Sequence, residues 1–82
     1  MIMVEVYVPA YEQTYDMGVD ENLSIALVIE EMANVICQRE SARLKGKVDE
    51  LCLCSMESQR ILSPERCLRD YRIISGTRLL LI

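Results

Sequence analysis

Arg60-Ile61-Leu62-Ser63-Pro64-Glu65-Arg66-Cys67-Leu68-Arg69-Asp70-Tyr71-Arg72-Ile73-Ile74-Ser75-Gly76-Thr77-Arg78-Leu79-Leu80-Leu81-Ile82 is the stretch on which the fold turns. It ends in an unbroken apolar run, Leu79 to Ile82, the pattern of a central strand covered on at least part of both faces. Ser75-Gly76 turns the chain into that strand. Upstream, Ser63-Pro64-Glu65-Arg66 reads as a turn or a single helical turn, with Pro64 suited to a first helical position after a capping Ser63. Arg60 to Leu62 reads as the antiparallel partner of Leu51 to Ser55, whose leucines and cysteines alternate.

Before this segment the period changes twice. Met1 to Val8 places Ile2, Val4, Val6 and Val8 on one side and Met3, Glu5 and Tyr7 on the other, as a half-buried strand does. Pro9 cannot donate to a ladder, Ala10 to Gln13 form a loop, and Thr14 to Val19 alternates again with Tyr15, Met17 and Val19 on one face. The pair is an opening hairpin. Asp20, Glu21, Asn22 and Ser24 then offer capping oxygens and negative charge, and Ile25, Val28, Ile29, Met32, Ala33, Ile36 and Cys37 recur at helical spacing. A helix over about 25–40 is predicted, with Arg39, Arg43 and Lys45 near its negative end. Residues 41–50, polar and containing Gly46, are predicted as loop. The element order is strand, strand, helix, strand, short strand, strand.

At 82 residues there is room for one domain over 1–82, and a chain this short buries only roughly 60 to 65% of the surface it exposes unfolded. Its hydrophobic share of 51% and charged share of 27% suit a globular core. The longest uncharged apolar stretches, Leu23 to Ile29 and Leu79 to Ile82, fall far short of the ~20 residues of a membrane span, so no membrane insertion is expected. The N-terminus carries no basic leader followed by an apolar run, which points to the cytoplasm. There, Cys37, Cys52, Cys54 and Cys67 are expected to stay thiols rather than pair as disulfides.

Charge is distributed unevenly. Residues 1–38 hold seven acids and no Lys or Arg, and residues 39–82 hold nine basic residues and six acids. Such polarity can steer a partner's approach, and a solvated surface with no partner is the alternative reading. Nucleic acid is disfavoured, because the chain carries a net −4 and Tyr71 alone is available for base stacking among the arginines from Arg60 onward.

Chemistry is poorly provided for. The chain has no histidine, no carboxylate pair placed to share a proton and no glycine cluster to cradle phosphate. Cys52-Leu53-Cys54 does not have the spacing of a zinc knuckle, and no second pair complements it. Cys67, next to Arg66, is the only thiol with an adjacent positive charge in sequence, and cysteine most often serves as a small buried hydrophobe. A non-enzymatic protein without metal or cofactor is expected.

Arg66-Cys67-Leu68-Arg69-Asp70-Tyr71-Arg72-Ile73 resembles the Arg-Thr-Leu-x-Asp-Tyr-x-Ile segment of ubiquitin. Ile73 to Leu81 looks more like the Gly-Ile-x-x-Gly-Asp-Arg-Leu ending of the YukD/EsaB proteins, small ubiquitin-like components of Gram-positive type VII secretion systems. Thr77 stands where that ending has Asp, and Arg72 where it has Gly. The resemblance covers roughly residues 60–82, with the hairpin and helix agreeing in pattern. It implies an α+β, ubiquitin-like β-grasp: a mixed sheet of four to five strands packed on one main helix. It further implies a cytoplasmic accessory protein that binds a component of a membrane secretion machine exporting Trp-x-Gly proteins. A generic ubiquitin-like adaptor is the alternative. A protein modifier or sulfur carrier is a lesser one, since these activate a terminal Gly-Gly that this sequence lacks. In ubiquitin the tyrosine matching Tyr71 bonds a backbone amide of the preceding loop, which places the partner turn near Leu62 to Glu65, with the Ser63 amide as the choice.

In a β-grasp one sheet face covers the helix and the other is open. If Val4, Val6, Leu51, Leu53, Leu79 and Leu81 face the helix, alternation puts Tyr7, Cys52, Cys54, Leu80 and Ile82 on the open face. Ubiquitin is itself recognised through an apolar patch on this face. Cys54, Leu80 and Ile82 are therefore the expected centre of a protein-binding patch, with Cys52 beside them and Tyr7 and Arg78 towards its edge. A loop of the chain or a second copy forming a homodimer would be the other ways to cover it.

Overall fold

The computed structural model describes residues 1–41 and 50–82. The predicted loop around Gly46, with Arg43 and Lys45, falls almost wholly outside them. Five strands and one helix follow in the order β1 (Ile2–Val8), β2 (Gln13–Val19), α1 (Ile25–Glu40), β3 (Leu53–Ser55), β4 (Arg60–Ile61) and β5 (Arg78–Leu81), with a 3-10 helical turn at Leu68–Tyr71 before β5. The sheet runs β2-β1-β5-β3-β4. β1 pairs antiparallel with β2 and parallel with β5, and β5 pairs antiparallel with β3. The last strand is thus the middle one, as its unbroken apolar run requires.

Alternation decides which side of each strand is dry. Val4, Val6 and Val8 of β1, Tyr15, Met17 and Val19 of β2, Leu53 of β3, and Leu79 and Leu81 of β5 are all buried. Register reinforces this, because Val4 lies opposite Met17 and Val6 opposite Tyr15. Against them α1 lays Ile25, Val28, Ile29, Met32, Ala33 and Ile36. Removing a Leu or Ile side chain from water is worth about 1.5–3 kcal/mol, and this shared layer is what holds helix to sheet. Cys37, the last of the predicted helix face, is only half-buried.

Helix α1 starts where Ser24 caps it, its Oγ accepting from the Leu27 amide at 3.4 Å. Asp20 serves one turn earlier, accepting from the Asn22 amide at 2.9 Å. Two further amides of the first turn find carbonyls on a distant segment: Ile25 donates to Arg66 (2.7 Å) and Ala26 to Pro64 (3.0 Å). Helix N-terminal amides have no partner inside the helix, so these bonds dock the 64–66 segment against it. Ser41 closes the helix in a left-handed conformation, its amide bonded to the Cys37 carbonyl.

Several boundaries differ from the sequence reading. Ser63 to Arg66 forms the turn, the first of its two sequence readings, with the Arg66 amide donating to the Ser63 carbonyl at 3.2 Å, and a 3-10 helical turn lies further on at Leu68–Tyr71. Leu68, fully buried, anchors the helical turn, and the Asp70 carboxylate caps it by accepting from the Cys67 amide at 3.0 Å. β3 and β4 are shorter than Leu51–Ser55 and Arg60–Leu62, although Leu62 still donates to the Leu53 carbonyl at 2.8 Å. Gly76, at φ +92, occupies a left-handed position that favours glycine.

Candidate functional site

The open face of the sheet carries one continuous row across all five strands. By register it runs Thr14 (β2), Tyr7 (β1), Leu80 (β5), Cys54 (β3) and Ile61 (β4), each directly opposite the next. Directly paired residues share a face, so the two sides of the sheet separate cleanly: Leu79 and Leu81 are dry, while Leu80 between them is partly exposed. Tyr7 and Cys54 are half-buried, and Ile61 is 70% exposed.

Beside this row Cys52 and Ile82 form a reciprocal backbone pair, with bonds of 2.6 and 2.9 Å. Ile82 is 52% exposed and Cys52 is exposed. On the other flank Asp16, Glu5 and Arg78 form a charged row. Asp16 and Glu5 are like charges set opposite each other, which is unfavourable; Arg78 Nε lies 3.3 Å from Glu5 Oε2 and offsets it. Between the rows Glu5, Tyr7, Thr14, Met56, Arg78 and Leu79 line an open depression of ≈ 490 Å³.

The six residues singled out from the sequence are thus arranged as follows. Tyr7, Leu80 and Cys54 lie in one row, Cys52 and Ile82 extend it, and Arg78 stands one row away, paired to Glu5. Ile61, the most exposed apolar side chain of the row, was not foreseen. Its signal was the adjacent Leu62: once Leu62 is assigned to the core, strand alternation turns Ile61 outward.

The chemistry of this surface is quiet. Burial, then the neighbouring Cys52, pushes the Cys54 thiol up, which removes thiolate and with it nucleophilicity. All four cysteines are free. Among the described residues no group of three metal-ligating side chains converges, and no helix is long and apolar enough to cross a membrane.

Tyr71 joins the 3-10 turn to the loop before it. Its hydroxyl accepts from the Ser63 amide at 2.9 Å, and Arg60 lies over its ring at 5.4 Å. This is the bond that the resemblance implied.

No protein-family model matches the chain, and no curated protein matches it. Solved structures do. The N-terminal ubiquitin-like domain of the 4931431F19Rik protein, determined in solution, superposes with a TM-score of 0.76 at 17% identity, over 99% of this chain and 72% of that one. The ubiquitin-like domain of the Arabidopsis thaliana protein At2g32350 gives 0.74 at 17% identity, over 99% and 74%. The fold is therefore a ubiquitin-like β-grasp of the α+β class.

Proposed function

We propose that the chain is a non-catalytic protein-binding module whose partner docks on the open sheet face around Leu80, Cys54 and Ile82. The observation that carries this reading is the row Tyr7-Leu80-Cys54-Ile61, apolar from β1 to the far edge strand and left facing water. Contiguous apolar surface of this kind marks protein interaction sites. Our finer reading of the partner is a cytoplasmic component of a type VII secretion machine, and its support is the likeness of residues 73–81 to the YukD/EsaB ending. The solved neighbours, being ubiquitin-like domains of other proteins, favour a generic adaptor as the second reading.

Titration calorimetry with purified soluble parts of the membrane and ATPase subunits encoded beside the gene tests both. Saturable binding that Leu80→Glu abolishes supports the secretion reading. Absence of FtsK-like ATPase and Trp-x-Gly genes nearby, with no binding to such parts, favours the adaptor. Concentration-dependent dimerisation that Leu80→Glu dissolves would mean that the face is covered by a second copy.

A further inference from the structure

Beyond β4, away from the open face, Arg60, Arg66 and Arg72 gather with Asp70 and Tyr71 around a cup of ≈ 410 Å³. Arg60 is in register with the buried Ser55, not with Cys54, so the cup is a separate surface. Three guanidinium groups line it, all on exposed residues, and among the described residues none of them lies in an ion pair. Among the described residues the only acid lining the cup is already engaged: Asp70 accepts from the Cys67 amide. Its carboxyl is held below the usual range first by that bond, with the charge of Arg66 adding to it. Exposed Glu57 and Glu65 stand a few residues away in sequence and pair with none of the three.

Residue choice also bears on this. Residues 60–82 contain five arginines and no lysine. Lysine serves equally well for solubility, whereas the planar guanidinium fork matches a carboxylate with two parallel bonds. The floor of the cup is pre-set, because Tyr71 is tied at its hydroxyl by Ser63 and covered on its ring by Arg60. Arg60 lies over the ring of Tyr71, the one aromatic side chain among the described residues that line the cup, which leaves little for stacking a base and disfavours single-stranded nucleic acid.

We infer that this cup docks an acidic polypeptide segment of a partner protein, its carboxylates meeting Arg60, Arg66 and Arg72. Three guanidiniums and one carboxylate leave the cup with a charge of 3 − 1 = +2, which a run of Glu or Asp complements. The contact is independent of the open-face reading.

The test is fluorescence anisotropy of a labelled oligoglutamate peptide with the whole chain, alongside its oligoglutamine counterpart. Oligoglutamate binds, more weakly as salt rises, and its addition shifts the amide resonances of residues 60–72. Arg66→Glu combined with Arg72→Asn weakens binding about tenfold or more, the order expected from losing charge-assisted bonds. Asn is chosen because Arg72 is left-handed, at φ 56, where Asn is tolerated, and a thermal melt checks that the double variant folds. Arg69→Glu, exposed but outside the cup, and Leu80→Glu leave binding within about twofold. Equal loss with Arg69→Glu, equal binding of oligoglutamine, or no binding overturns the inference. So does a preference for single-stranded DNA or phosphatidylserine vesicles, or self-association that oligoglutamate does not displace.

Discussion

The Ser63 amide donates to the Tyr71 hydroxyl across eight residues at 2.9 Å, tying the loop after β4 to the 3-10 turn that leads back into the sheet. Leu62, next to Ser63, and Leu68, before Tyr71, are both in the core. The bond therefore fixes one core wall to another through the loop between them. Tyr71→Phe keeps the ring under Arg60 and removes only the acceptor, leaving a partly buried N–H without its partner. A loss on the order of 1 kcal/mol is expected, read as a lowered urea midpoint at unchanged slope; an unchanged midpoint would show that water replaces the hydroxyl at no cost.

Neighbouring leucines of β5 should behave oppositely. Leu79→Glu places a carboxylate in the dry layer and should abolish cooperative unfolding, because an unpaired buried charge costs more than a small domain can spare. Leu80→Glu sits on the half-open face and should retain dispersed amide resonances and a cooperative melt. If the two variants melt alike, the assignment of faces in β5 is wrong.

Thiol reactivity should separate by exposure. Titration under denaturing conditions should count four thiols, and under native conditions Cys52 should react before Cys54, whose thiol is half-buried and pushed up. A chelator should leave the melting temperature unchanged. Fewer than four groups, or a chelator-induced melt, would reveal a disulfide or a metal.

Tyr15 makes a prediction at high pH. It is buried, its hydroxyl bonds the Glu40 carboxylate, and Arg39 lies over its ring at 5.9 Å. Burial first, then the bond to and charge of Glu40, push the phenol up from 10.0 to about 12. With the folded value above the unfolded one, this contribution is whole below pH 10 and is lost as pH rises towards 12, where the unfolded chain gives up the proton more readily. Stability should fall across that window, and the fall should be shallower in Tyr15→Phe. An equal slope in both proteins would refute the assignment, as would a Tyr15 phenol that titrates near 10 in ultraviolet absorbance.

Helix α1 and the faces of β1 and β2 were legible because their apolar periods are long: sixteen residues of helix and seven of each strand. The short elements were not. Pro64 after Ser63 has the local chemistry of a helix start, but the carbonyls of Pro64 and Arg66 are needed by the α1 amides, and the helical turn forms instead where Leu68 is buried and Asp70 caps it. Ile61 escaped notice because the β3–β4 register depends on a connection that passes through left-handed Gln59, at φ 55, a conformation its residue type does not announce. The arginine cup was visible only as a surplus of positive charge. What brings Arg60 and Arg72 together is tertiary: the Tyr71 anchor and the reversal of the chain at Arg72.

The parallel pairing of β1 with β5 has a consequence for synthesis. Val6 meets Leu79, so β1 finds its central neighbour only after β5 has been made. Contacts of such long sequence separation close late, and a nascent chain is made from its N-terminus. Until β5 emerges, the β1–β2 hairpin and α1 hold their apolar sides against an unfinished sheet with one edge of β1 unpaired. Aggregation during translation, or protection by a chaperone, is therefore decided at the C-terminal strand: stalling the chain just short of Arg78 should leave β1 open to protease, whereas stalling it well beyond Ile82 should not.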